Sequence, residues 1–202
     1  MQTLFDNQTL PGGYLFFDTE TTGLPRNWSA PVSDIHNWPR IVQIAWELYD
    51  ADLTLLASNS RIIKPEGYEI PLFASRIHGI TTERARESGV ALDLVLAEIK
   101  ELLQRADYLV AHNVSFDEKV LGAEFLRKKM PNDLSGKKMI CTKEISTQFC
   151  AIPGPYGYKW PKLSELYRTL FGTSFEDSHN AIADVRATAQ CYIEMKRRGI
   201  VT

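Results

Sequence analysis

Residues 14–23 read Tyr-Leu-Phe-Phe-Asp-Thr-Glu-Thr-Thr-Gly, four large apolar side chains running straight into two carboxylates one residue apart. Bounded by Gly12-Gly13 in front and Gly23 behind, the run has the composition of a buried strand. Residues two apart on a strand project to the same face, so Asp18 and Glu20 leave the end of this strand together. Two carboxylates held side by side repel each other, and both stay ionised only with a cation between them. An all-oxygen pair of this kind suits a hard divalent ion such as Mg²⁺ or Mn²⁺. A strand that ends in a polar, helix-capping loop has the same composition, so this stretch alone leaves both readings open.

The chain has 202 residues, 44% hydrophobic and 24% charged, enough apolar material for one compact core. The expected organisation is an N-terminal tail over 1–13 and a single domain over 14–202. A net charge of -2 excludes a protein that coats nucleic acid by general basicity, so any such contact has to be local. No apolar run approaches the ~20 residues of a membrane span. The segment Met1 to Pro11 lacks the basic start and apolar centre of a signal peptide. Cys141, Cys150 and Cys191 are odd in number and scattered, which fits neither a disulfide framework nor a zinc site and points to reduced thiols in a cytoplasmic protein.

In chain order, Leu24 to Arg40 is an irregular connection broken by Pro25, Pro31 and Pro39, with Trp28 and Trp38 available to pin it to the core. Ile41 to Tyr49 and Leu53 to Ile63 are strands around an Asp50-Ala51-Asp52 turn, so the first three strands form an antiparallel meander. Ile77-His78-Gly79-Ile80 is a turn leading into a helix capped by Thr81 or Thr82. Leu92, Val95, Leu96, Ile99, Leu102 and Leu103 recur at helical spacing. Tyr108 to Ala111 is a short buried strand. It runs into His112-Asn113 and a helix capped by Ser115, with Asp117 in the first turn, where the helix dipole also favours an acid. Met139 to Thr142 is a fifth strand, Glu144 to Cys150 a short helix, and Ala151 to Lys162 a loop. Leu163 to Phe171 is a helix ended by Gly172, and a last helix runs from near Asn180 to about Arg198 with Asp184 in its second turn and His179 just before it. The fold class is α/β: a mixed sheet, an antiparallel three-strand meander plus two further strands, flanked by helices.

Three separated segments now stand out: Phe-Asp-Thr-Glu-Thr-Thr-Gly-Leu at 17–24, His-Asn-Val-Ser-Phe-Asp at 112–117 and His-Asn-Ala-Ile-Ala-Asp at 179–184. In order and content they resemble the three motifs of the DEDDh 3′–5′ exonucleases, with the likeness nearest to the proofreading epsilon subunit of bacterial DNA polymerase III and its stand-alone relatives. The His78 turn resembles that family's Val-His-Gly-Ile segment. The resemblance covers roughly residues 14–195 and implies a ribonuclease H-like fold. It implies that Asp18, Glu20, Asp117 and Asp184 hold two divalent ions, Mg²⁺ or Mn²⁺, for phosphodiester hydrolysis, with Asp18 the bridging ligand and His179 the general base. It also places Thr19, Thr21, Leu24, His78 and Asn113 near the terminal nucleotide. A structural role remains open for His78 and for His112, and His36 reads as surface.

The implied activity is a metal-dependent exonuclease acting on the 3′ end of single-stranded or frayed DNA and releasing nucleoside 5′-monophosphates. An exoribonuclease trimming RNA 3′ ends uses the same site, and a catalytically silent nucleic-acid-binding module is the rival from another class. The chain departs from a plain epsilon-like domain in the length of the 24–40 connection and in Gly-Pro-Tyr-Gly-Tyr-Lys-Trp at 154–160. The aromatic residues Trp28, Trp38, Tyr156, Tyr158 and Trp160 offer sequence-tolerant stacking faces for bases. Gln2-Thr3-Leu4-Phe5 is one residue short of a sliding-clamp-binding peptide, so association with a clamp or polymerase has little support. No membrane partner is expected.

Overall fold

The computed structural model describes residues 11–176 and 180–201; the Gln2-to-Phe5 segment and His179 lie outside the described residues. At its centre is β1 (Tyr14–Thr21), paired antiparallel with β2 (Ile41–Tyr49) and parallel with β4 (Tyr108–Ala111). Beyond β2 lies β3 (Leu55–Ile62), antiparallel, and beyond β4 lies β5 (Lys138–Cys141), parallel, giving the order β3-β2-β1-β4-β5. This is the mixed five-strand α/β sheet expected, with the ribonuclease H-like arrangement of a three-strand meander and two further strands.

Alternation along β1 sends its side chains into two cores. Leu15 and Phe17 pack with Leu92, Leu96 and Ile99 of α3 (Leu92–Arg105) and with Val120, Leu121 and Phe125 of α4 (Val114–Arg127). Tyr14 and Phe16 pack with Val185, Ala189 and Tyr192 of α8 (Ala181–Arg197) on the other side. Each fully buried side chain of this size stabilises the fold by about 1.5–3 kcal/mol, and Phe16 and Leu15 are 0% and 1% exposed. The sandwich therefore locks the parity of β1, and parity decides where its carboxylates point.

Several local expectations are corrected. A seven-residue helix, α1 (Leu72–His78), precedes the expected turn, which closes at Gly79 with φ 73°. It buries only Ala74, so its apolar residues show no inward stripe from which a helix is legible. Thr81 caps α2 (Thr82–Ser88), accepting from the Arg84 amide at 3.2 Å, while Thr82 is buried and accepts from the Ile70 amide. Ser115 does not cap α4. The helix starts two residues earlier, behind Asn113 in the left-handed region at φ 96°, which Asn tolerates better than most residues. β3 begins at Leu55 because Leu53 adopts φ 61° in the turn. The single helix over 144–150 is two short ones, α5 (Thr142–Ile145) and α6 (Thr147–Cys150). The 151–162 loop contains a small hairpin, β6 (Pro153–Gly154) with β7 (Gly157–Tyr158), ahead of α7 (Leu163–Phe171).

The 24–40 connection is tied down from α4. Glu124, 0% exposed, accepts from Arg40 Nε at 2.8 Å and from the Ile41 amide at 3.0 Å, and it pairs with Arg127 at 3.1 Å. Arg127 in turn donates to the carbonyls of Ile35 and Trp38 at 2.5 and 2.7 Å. Trp38 is buried and donates from Nε1 to the Pro31 carbonyl, so it pins the connection, whereas Trp28 stays half exposed against Phe116. The close approach leaves no room for a side chain at position 122, where a Cβ would meet Val32 at 2.8 Å. The described cysteines are all free thiols, and no described helix is long and apolar enough to cross a membrane.

Candidate active site

Parity on β1 puts Asp18 and Glu20 on the same side as Tyr14 and Phe16, the side covered by α8. Asp184 sits in the first turn of α8, not the second, behind Asn180, whose side chain accepts from the Ile182 amide. One carboxylate oxygen from each of Asp18, Glu20 and Asp184 can be chosen so that all lie within 4.8 Å of one another. Asp117 reaches the same edge of the sheet from α4, on the opposite side. It is buried, and its Oδ1 accepts from both the amide (3.1 Å) and the hydroxyl (2.7 Å) of Thr19. Thr19 points to the α4 side because it alternates with Asp18 and Glu20. One strand thus presents two acids on one face and fastens a third with the residue between them.

The electrostatics record the crowding. Burial, followed by repulsion from Asp117, Asp184 and Glu20, holds Asp18 well above the usual carboxylate range. Burial and then the Asp184 and Asp117 charges push Glu20 up to about 8. Burial pushes Asp117 up to about 7 against the opposing pull of the two Thr19 hydrogen bonds. Asp18 and Glu20, raised in part by the charges around them, form with Asp117 and Asp184 an oxygen-rich donor set that a hard divalent cation fits, since it supplies the missing positive charge.

The other candidates divide by what their polar atoms already do. Thr21 donates from its hydroxyl to the Gly23 carbonyl at 2.7 Å, shaping the loop after β1. Leu24 projects from that loop and is 72% exposed. His78 accepts through Nδ1 from the Ile80 amide, while its Nε2 is buried beside the Thr21 backbone without a hydrogen bond of good geometry. Burial lowers its pKa, and because Nδ1 accepts, the neutral ring carries its proton on Nε2. Asn113 accepts from Lys143 Nζ at 2.5 Å. His112 is a strut: Nε2 contacts the Pro161 carbonyl and Nδ1 the Thr142 hydroxyl, each at 3.0 Å, and burial pushes its pKa down to about 4.

A cleft of about 480 Å³ opens from the acids, lined by Asp18, His112, Lys162, Leu163, Phe175 and Asp184 among others. Two features of its surroundings are not singled out by the sequence. Leu72, Phe73 and Ile77 of α1 are exposed, and the Phe73 ring lies against Gly23, where a Cβ would be 3.4 Å away. With Leu24, next in the chain after Gly23, they make an apolar step at the loop that follows β1. Lys143 and Lys162 supply positive charge on the other flank. The only sequence signal for the step is a run of apolar residues with no helical inward stripe.

The exonuclease family model RNase_T matches residues 15–192. PolC-type DNA polymerase III of Streptococcus pneumoniae is 29% identical over 178 residues, and that of Streptococcus agalactiae 30%; each alignment covers 88% of this chain and 11% of the relative. The chain thus corresponds to about a tenth of the length of these relatives. Escherichia coli exonuclease I in complex with a dA16 oligonucleotide superposes with a TM-score of 0.74 at 22% identity, covering 95% of this chain and 41% of the other. The zinc-bound form of the exonuclease I–single-stranded DNA complex gives 0.72 at 24% identity, with 95% and 41% covered.

Proposed function

The chain belongs to the RNase_T exonuclease family, in its DEDDh 3′–5′ branch, and on that premise we propose that it hydrolyses single-stranded or frayed DNA from the 3′ end with divalent ions, releasing nucleoside 5′-monophosphates. The observation that carries this reading is the convergence of carboxylates from three elements, Asp18 and Glu20 of β1, Asp117 of α4 and Asp184 of α8, at the head of one cleft.

Asp18, Glu20, Asp117 and Asp184 would hold two ions, Mg²⁺ or Mn²⁺, with Asp18 central because it lies at the end of β1 with Glu20 and Asp184 on its own face and Thr19-bound Asp117 on the other. When bound, the ions supply positive charge and Lewis acidity at the phosphodiester. Thr19 keeps Asp117 oriented through its two hydrogen bonds, which shields that role from rotamer loss. His179, immediately before Asn180 in the chain, takes the proton of the attacking water; an unperturbed imidazole, with a pKa near 6.5, suits transfer around neutral pH. The exposed Leu24 wedges against the terminal base, Thr21 and Asn113 shape the backbone beside it, and His78 supports the Thr21 end of β1 from within the 77–80 turn. The relatives support a DNA substrate: one group is DNA polymerase III, and the solved structures include exonuclease I bound to single-stranded DNA.

Two 5′-labelled oligonucleotides that differ only in sugar test the substrate. The expected result is a ladder shortening from the 3′ end on DNA, with slower loss of RNA. Shortening from the 5′ end, or no shortening of either, overturns the reading, and faster RNA loss moves the protein to 3′ RNA trimming with the same residues. His179→Ala is expected to lower turnover by about a hundredfold at saturating metal, the lower end of what positioned proton transfer contributes. Parental turnover in that variant removes His179 from the mechanism.

A further inference from the structure

The 151–162 segment is not absorbed by the chemistry above, and its side chains are arranged at a cost. Gly154 pairs with Gly157, so Pro155 and Tyr156 form the tip of a two-residue hairpin loop. Such tips are ordinarily small and polar, yet Tyr156 is 102% exposed, with Tyr158 at 52% and Trp160 at 61%. None of the three has a stacked aromatic partner among the described residues, and the hairpin curves around an open hollow of about 300 Å³ lined by its own residues. Rings left open to water on a short, pre-ordered hairpin lose little entropy when something flat covers them.

The hairpin is fastened to the cleft. Trp160 is followed by Pro161, whose carbonyl contacts His112 Nε2 at 3.0 Å, and by Lys162, which lines the cleft with Asp18 and Asp184. Lys143 joins the two regions: its Nζ lies 4.1 Å from the centre of the Trp160 ring and 2.5 Å from Asn113 Oδ1 at the start of the Asp117-bearing helix. Lys159 is held by Glu165 at 2.6 Å, which stiffens the return strand. The rings and the two lysines Lys143 and Lys162 therefore continue the rim of the cleft away from the acids.

We infer that this hairpin is a stacking platform for the single-stranded nucleic acid that trails upstream of the nucleotide being removed, with bases on Tyr156, Tyr158 and Trp160 and phosphates passing Lys143 and Lys162. The inference rests on the nuclease reading of the cleft. It assigns the protein a preference for unpaired substrate: every unpaired base offers an open face, whereas a base inside a duplex is already stacked on its neighbours. It also makes affinity depend on the length of the single strand, because a short oligonucleotide fills the cleft without reaching the hairpin.

The test uses the full chain and two oligothymidylates, of three and twelve nucleotides. Dissociation constants are read by fluorescence anisotropy in EDTA, where cleavage is stopped, and cleavage is read separately with Mg²⁺. Tyr156→Ala with Tyr158→Ala, and Trp160→Ala, are each expected to weaken binding of the twelve-mer by about tenfold or more, the scale of lost base–aromatic stacking. The trimer is expected to change less than about twofold. Tyr156→Phe with Tyr158→Phe keeps the rings and is expected to restore the twelve-mer, a rescue that a hydroxyl-based role does not give, while a purely structural role would weaken both lengths alike. Equal loss on both lengths, no loss on the twelve-mer, or failure of the Phe pair to rescue overturns the platform. Cleavage of the trimer by the parent reports on the nuclease reading alone, so the two ideas fail separately.

Discussion

Replacing Asp18 by Asn lowers turnover by about a thousandfold and at the same time raises the melting temperature of the metal-free protein. The rate loss is at the upper end of what removing one preorganised charge-stabilising group costs. Asp18 is given that weight because one of its oxygens lies within 4.8 Å of oxygens from both Glu20 and Asp184, and it also feels the charge of Asp117. The gain in stability has the same origin. Asn is nearly isosteric with Asp but carries no charge, so the burial cost and the repulsion from Asp117, Asp184 and Glu20 that push Asp18 upward are removed. The sign of the pH dependence follows. Asp18, Glu20 and Asp117 hold protons in the folded state that the unfolded chain has already released. Stability is therefore full below the ordinary carboxylate range near 4 and is lost as pH rises through about 7 to 8. In EDTA the parent is expected to melt at a higher temperature at pH 6 than at pH 9. Asp18→Asn should flatten that slope, and added Mg²⁺ should flatten it in the parent. Cleavage assays and melting scans on the same preparations check both halves. Full parental activity after rigorous chelation, or an Asn variant that melts lower than the parent at pH 9 in EDTA, contradicts the charge-crowding account.

Glu124→Ala is expected to destabilise the protein by about 3–5 kcal/mol, the cost of breaking a buried ion pair from one side. For a chain of this size that corresponds to a fall of roughly 6–20 °C in melting temperature. The carboxylate serves Arg40 Nε, the Ile41 amide and Arg127 at once, and it is fully buried. Its removal leaves two cations facing each other without the anion between them and an amide at the start of β2 without its acceptor. The effect spreads into the 24–40 connection, because Arg127 is what binds the carbonyls of Ile35 and Trp38. Glu124→Gln keeps the shape and one acceptor oxygen, and its loss is expected to be smaller than that of Ala. Thermal unfolding of the two variants beside the parent measures this. A shift under about 2 °C for Ala means that water replaces the carboxylate, which the burial of Glu124 argues against.

What the sequence determined by itself is whatever a strand or helix period encodes. The parity of Asp18 and Glu20 follows from a two-residue repeat, and the apolar run before them follows from burial on both faces of β1. The inward face of α3 is legible from its spacing, and the order of three acidic segments was enough to place the chain in its family. What only the tertiary structure decided involves partners far apart in the chain, where no local period reports the contact. Asp117 has an ordinary first-turn position for an acid. Its place in the site depends on Thr19, 98 residues away, turning its amide and hydroxyl to the far side of the sheet. Glu124 looks like any helical glutamate until Arg40 and the Ile41 amide, 84 and 83 residues away, need an acceptor in a space that water does not enter. His112 belongs to a motif, yet the Pro161 carbonyl and burial turn it into a neutral strut. The exposed helix α1 and the hairpin at 153–158 were hidden for the opposite reason. Elements that bury little leave no hydrophobic pattern in the sequence, and their positions are set by the sheet and helices that carry them.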